Sequence, residues 1–138
     1  MNLYEVKAQF TQRTPNDTIA CVKEINIIEA HTFGEAEQIA IDRLTPISFN
    51  GHVDVTAMKI VKAFDLVKTD DAESIFKCKV EMNIVDGDCE SKSRIVIYVG
   101  ASTLEEARRN LAEFLKEYAD AKPICVEETR VAAIWCKE

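Results

Sequence analysis

Two stretches decide how this chain is read: Glu29-Ala30-His31-Thr32-Phe33-Gly34-Glu35-Ala36 and Gly100-Ala101-Ser102-Thr103-Leu104-Glu105-Glu106-Ala107. Ala, Thr, Glu and Ala coincide at a displacement of 71 residues, Thr32 to Thr103. The same displacement carries Leu44 onto Leu115, Val53 onto Ile124, Val55 onto Val126, Ile60 onto Val131 and Phe64 onto Trp135. A displacement of 72 carries Tyr4-Glu5-Val6-Lys7 onto Phe76-Lys77-Cys78-Lys79. Self-similarity at a long, fixed period is the signature of a repeated structural unit. The chain therefore reads as one domain, 1–138, built by tandem duplication, with repeats 3–68 and 75–137 joined by a linker, 69–74.

Each repeat has the pattern β-β-α-β. Tyr4, Val6, Ala8 and Phe10 alternate with Glu5, Lys7, Gln9 and Thr11, and Phe76, Cys78, Val80 and Met82 with Lys77, Lys79, Glu81 and Asn83. This period of two marks a half-buried strand. Turn residues follow, Thr14-Pro15-Asn16-Asp17 and Asp86-Gly87-Asp88. The second strands, Ile25-Asn26-Ile27-Ile28 and Ile95-Val96-Ile97-Tyr98-Val99, are more uniformly apolar, which implies burial on both faces or a place near the contact between the repeats. Helices start at Thr32 and Thr103, where T-x-x-E spacing to Glu35 and Glu106 forms capping boxes worth about 1 kcal/mol each. The expected buried stripes are Phe33, Ala36, Ala40, Leu44 and Ile47, and Leu104, Ala107, Leu111, Leu115 and Tyr118. Pro46 and Pro123 are expected to end the helical stretches. The third strands, Val53 to Val67 and Ile124 to Cys136, are long, and their apolar parity changes partway; a bulge or bend is expected near Ala57 and near Glu128.

A hairpin followed by a helical crossover returns the third strand beside the first, giving the order two-one-three with all neighbours antiparallel. The expected class is α+β: antiparallel sheet, continuous or split in two, with the helices packed on one face and a pseudo-twofold between the repeats.

Composition bounds the function. The 138 residues carry 17 Lys plus Arg against 24 Asp plus Glu, a net charge of −7. That balance disfavours capture of nucleic acid or of an anionic membrane surface. No apolar run nears the ~20 residues of a spanning helix. The first residues lack the basic-then-apolar pattern of a secretory signal, so a cytoplasmic location is expected. Five cysteines, at 21, 78, 89, 125 and 136, include no C-x-x-C pair. They point neither to a disulfide framework nor to a zinc ribbon. Cys78 reads as a core residue, and Cys89 as an exposed one after a turn.

Catalytic and cofactor motifs are not found: the four glycines form no phosphate-binding loop, and neither His31 nor His52 has a nucleophile at triad spacing. His31 reads as a surface residue ahead of a helix cap, His52 as a turn residue. Asp86, Asp88 and Glu90 alternate as in a calcium loop, but Ile97 stands where the twelfth-position carboxylate belongs, so a polar turn is expected. No metal or cofactor is called for. The candidate binding surface is the outward face of the first strands, with Lys7, Lys77 and Lys79, together with a basic concentration formed by Arg108 and Arg109 with Lys92 and Arg94. Trp135 reads as core through its match to Phe64.

The opening strand Tyr4-Glu5-Val6-Lys7, the segment Glu29 to Glu37, Asn50-Gly51-His52-Val53-Asp54-Val55-Thr56 and Ile75-Phe76-Lys77-Cys78-Lys79-Val80 together carry a resemblance. The chain resembles an uncharacterised family, catalogued as a domain of unknown function, of about 140–160 residues from gut Bacteroidetes and their phages. The resemblance implies a bacterial or phage intracellular protein and brings no activity or site residues. The expected function is non-enzymatic, a binding or structural accessory protein whose partner is a protein, as monomer or homodimer. The alternatives are a small hydrolase or transferase with a site between the repeats, and an acidic phage inhibitor of a host protein.

Overall fold

The computed structural model describes residues 2–67, 72–118 and 120–136. The elements run β1 (Asn2–Arg13), β2 (Ile19–Ala30), α1 (Phe33–Leu44), a 3-10 turn (Thr45–Ile47), β3 (Val53–Val61), β4 (Asp65–Val67), β5 (Ser74–Asp86), β6 (Cys89–Ala101), α2 (Leu104–Leu115), β7 (Lys122–Glu128) and β8 (Val131–Trp135). The fold is α+β, mostly strand, with two sheets rich in antiparallel pairs and two α-helices. The expected linker residues Thr69, Asp70 and Asp71 lie outside the described residues. Neither helix exceeds 12 residues, too short to cross a membrane.

The chain divides into two compact units, one of Met1–Lys62 with Val131–Glu138, the other of Ala63–Arg130. Unit 1 holds the sheet β3-β1-β2-β8, and unit 2 the sheet β4-β6-β5-β7. In both, the first, second and third strands take the expected two-one-three order. Each sheet also has a fourth strand, which the sequence reading did not foresee. The two long third strands break, after Val61 and after Glu128, and their continuations β4 and β8 pair parallel to the second strand of the other half's sheet. The sheets are therefore mixed rather than wholly antiparallel. The reason is steric: β1 and β5 already occupy one edge of β2 and β6, so only the far edges remain open for pairing.

The ladder also corrects the alignment of the third strands. Lys7 faces Ala57 and Lys79 faces Cys125; Ile28 faces Trp135 and Val99 faces Val67. From β3 and β7 onward the correspondence is thus 68 residues, Val67 to Trp135, and not 71. Trp135 occupies the place of Val67 rather than that of Phe64. The missing three residues match the 3-10 turn Thr45–Ile47 that follows α1. The bulge expected near Ala57 is present, with Thr56 as the extra residue and its hydroxyl donating to the Lys7 carbonyl at 3.2 Å. Near Glu128 the strand breaks and bends at Arg130, as one of the two expected irregularities, while a further bulge lies at Ile124, which turns outward and is 48% exposed. Pro123 does not end the helix, which closes at Leu115; it sits in β7, an edge strand where a missing N–H costs no ladder bond.

Both N-caps form as read: Glu35 and Glu106 N–H each donate to the cap threonine hydroxyl at 3.1 Å. The returning carboxylates reach one residue further than expected, accepting from His31 N–H at 3.1 Å and Ser102 N–H at 3.4 Å. The buried stripe of α1 is Ala36, Ala40 and Leu44, and that of α2 is Ala107, Leu111 and Leu115. Phe33, Ile47 and Leu104, expected in these stripes, stay about half exposed at 44%, 47% and 42%. Ile47 leaves the stripe because Pro46 turns the chain into the 3-10 segment. Ile27 and Ile28, and Ile97, Tyr98 and Val99, are all buried, so the second strands are covered on both faces. Cys78 is a core residue, and burial, with a smaller effect of the Cys125 thiol, pushes its thiol up to about 11.

Candidate functional site

In each unit the helix shares a buried cluster with one face of its sheet; the other face carries charged side chains on β1 and β5 and the buried Ile27 and Tyr98 on β2 and β6. In unit 2, Ala107, Leu111 and Leu115 share a buried cluster with Phe76, Cys78 and Val80, so Lys77, Lys79 and Glu81 project from the opposite face. In unit 1, Tyr4 and Val6 cluster with Ala36 and Ala40, so Glu5, Lys7 and Gln9 project away from α1.

A cavity of about 320 Å³ opens on this face of unit 1, lined by Glu5, Lys7, Ile25, Ala57, Met58 and Lys59. Lys59 Nζ lies 3.0 Å from Glu5 Oε2 across its wall. The matching ladder position in unit 2 reverses the charges, with Lys77 opposite Glu127. A larger cavity, about 580 Å³, opens on unit 2, lined by the cations Lys92, Arg94 and Lys122, the carboxylates Glu81 and Asp120, Asn83, and Pro123 and Ile124 as its apolar wall. Lys122, Glu81 and Arg94 stand in one row across β7, β5 and β6. Lys92 Nζ reaches Glu81 Oε1 at 3.4 Å. Arg94 and Lys122 form no ion pair among the described residues, so two cations face this opening uncommitted. Exposed pairs of this kind contribute little stability, typically about 0–1 kcal/mol, which leaves them available to a ligand or partner.

The residues singled out in the sequence are not gathered in one place. Lys7 is exposed and lines the unit 1 cavity. Lys79 is exposed and Lys77 half-buried on the outward face of unit 2. Arg108 and Arg109 are exposed on α2, over the other face of that sheet, so the basic concentration expected of them with Lys92 and Arg94 is split. His31 is exposed, its backbone N–H serving the α1 cap. His52 Nε2 lies 2.9 Å from Asp54 Oδ1, both side chains well exposed. Cys21, Cys89 and Cys125 are exposed.

A second polar group was missed. Asn26, 1% exposed, is the buried polar residue of the described core. Its Nδ2 donates to Glu24 Oε1 at 3.1 Å, while its Oδ1 is buried with no hydrogen-bond partner among the described residues, as is Thr11 Oγ1. Leaving such an acceptor unpaired costs about 1–3 kcal/mol. Trp135 stands on the same side of the sheet, packed against the clusters of Tyr4, Val6 and Ile28 and of Ala8 and Leu44. The Arg43 guanidinium lies over its ring, 5.0 Å from the centroid. The same positions in unit 2 are Ile95, Ile97, Val67 and Phe114, all part of or packed against one apolar cluster. A comparison of Asn26 with Ile97 at the 71-residue displacement carries this signal in the sequence. Arg43 and Trp135 join the group only once the ladder is known.

These features define an α+β protein with charged strand faces and one polar insertion in an otherwise apolar layer. The chain belongs to the family described as Domain of unknown function (DUF4494), whose match covers residues 2–137. No curated protein and no solved structure matches the chain.

Proposed function

We propose that this is a non-enzymatic binding or structural accessory protein, bacterial or phage in origin and cytoplasmic, whose partner is another protein. The carrying observation is the unit 2 cavity on the outward strand face, where Arg94 and Lys122 have no ion-pair partner among the described residues and stand beside the apolar Pro123 and Ile124. Three cations against two carboxylates, Glu81 and Asp120, beside an apolar wall suit an acidic side chain with an adjacent hydrophobic one. On this reading Lys79 and Lys77 extend the surface along the same strand, while Arg108 and Arg109 lie outside it. We also infer that the chain arose by tandem duplication of a β-β-α-β unit, a reading supported by the paired capping boxes and by the equivalent strand order of the two sheets.

The test is capture of partners from a native host extract with wild-type protein and with Arg94→Glu/Lys122→Glu. The expected result is a protein retained by the wild type and lost by the variant, with the thermal midpoint unchanged and capture weakened by salt. A wild-type protein that sediments as an inert monomer and retains nothing, or a variant that retains the same partner equally well, contradicts the proposal.

A further inference from the structure

We propose that the unit 1 cavity is a ligand site of its own, which binds a small aliphatic monocarboxylate. The opening has a structural cause. Ile25, Lys7 and Ala57 stand in one row across β2, β1 and β3, and the β1–β3 ladder slips just past Lys7. Thr56 is the extra residue there, its hydroxyl turned back onto the Lys7 carbonyl at 3.2 Å. A bulge of this kind bends its strand and re-aims the side chains around it. The residue it sets opposite Lys7 is an alanine, whose side chain fills little of the space beside the lysine stem. The cavity of about 320 Å³ is lined by all three residues of this row. It has room for about ten water molecules at about 30 Å³ each, the small end of ligand sites.

The charges around the opening do not balance. Glu5 and Lys59, opposite each other in the next row, are paired at 3.0 Å. Lys7 has no ion-pair partner among the described residues, so one positive charge is left over. The other lining residues, Ile25, Ala57 and Met58, are apolar. One unmatched ammonium on an apolar lining suits one carboxylate on a hydrocarbon body. The carboxylate accepts a charge-assisted hydrogen bond from Lys7 Nζ, and the body covers Ile25 and Ala57. A dianion would set its second charge against Glu5 with no further cation free, and a neutral hydrocarbon would leave the ammonium unmatched. The unit 2 cavity has a different charge set, three cations and two carboxylates, and the present site does not depend on it.

The probe is isovalerate, titrated into the isotope-labelled full chain at constant ionic strength and followed by backbone amide shifts. Two comparison compounds divide its features: isovaleramide keeps the body without the charge, and acetate keeps the charge without the body. The expected result is saturable shifts at Lys7, Ile25 and Ala57, with binding at least tenfold weaker for each comparison compound. Lys7→Gln, which removes the charge, and Ala57→Leu, which fills the opening, should weaken isovalerate binding to the same degree. Both residues are exposed, so the core is untouched, and thermal melts check that the variants are folded. Absence of saturation, an equal response to isovaleramide or acetate, unaltered titration of the folded variants, or saturable shifts confined to Arg94 and Lys122 overturns the proposal. Arg94→Glu/Lys122→Glu should bind isovalerate as the wild type does, so failure of this site and failure of the proposed partner surface are separate outcomes.

Discussion

Replacing Asn26 with leucine should stabilise the protein, although it removes a hydrogen bond. Three effects compete. The substitution removes a buried carbonyl oxygen with no partner, a relief of about 1–3 kcal/mol. It gains the burial of apolar atoms at a site that is 1% exposed, about 1 kcal/mol for the added hydrocarbon. It loses the 3.1 Å bond from Nδ2 to Glu24, worth about 1.5–3 kcal/mol when the acceptor is charged. Glu24 is only half-buried, so water takes up much of that last loss. The net expectation is a gain of about 1 kcal/mol, or about 2–4 °C in the thermal midpoint for a chain of this size. Urea denaturation of wild type and variant, followed by circular dichroism, measures it. A loss of 2 kcal/mol or more would show that the Asn26 carbonyl is bonded inside the protein, and the argument from an unpaired acceptor would fail.

Thr103→Ala should cost about 1 kcal/mol, because it removes the acceptor for Glu106 N–H at the start of α2; thermal unfolding reads the loss, and Thr103→Ser should recover most of it. Trp135→Ala should destabilise by about 2 kcal/mol, below the about 3–5 kcal/mol of a fully buried tryptophan because this one is partly exposed; chemical denaturation gives the value. Cys78 gives a pH dependence of defined sign. Its folded-state value, about 11, lies above the 9.0 of an ordinary thiol, so the folded state holds this proton more tightly. Its contribution to stability is complete below about pH 9 and is lost as pH rises from 9.0 to about 11. Cys78→Ala should flatten that part of the stability profile. In the native wild type at neutral pH, thiol reagents should modify Cys21, Cys89 and Cys125 well before Cys78.

Local signals were legible in the sequence where the physics is local. The capping boxes at Thr32 and Thr103 need only four consecutive residues, and the alternation in β1 and β5 needs only one face to be covered. The two-one-three strand order followed from a hairpin and a helical crossover that returns the third strand parallel to the second with the first between them. The fourth strands were not legible, because which half of the chain β4 and β8 pair with is set by the open edges of β2 and β6 and not by their own residues. The displacement of 71 was carried too far for a similar reason. Val53 and Val55 match Ile124 and Val126 in hydrophobicity, yet the ladder places Thr56 opposite the role of Ile124 as the bulged residue.

The site was legible in part. Alternation placed Lys7, Lys77 and Lys79 on faces turned from the helices, but it did not show that Arg94 and Lys122 would stand beside Glu81 on neighbouring strands. Arg108 and Arg109 were grouped with Lys92 and Arg94 by closeness in sequence, and the helix carries them to the other side of the sheet. The group of Glu24, Asn26, Arg43 and Trp135 draws on three separated segments and becomes visible only through pairing.

The architecture rests on each sheet being closed by a strand from the other half of the chain. Backbone proton contacts in isotope-labelled protein test this directly. The account predicts cross-strand contacts of Val67 with Val99 and of Trp135 with Ile28. Contacts of Val67 with Ile28 and of Trp135 with Val99, each half closing its own sheet, would contradict it.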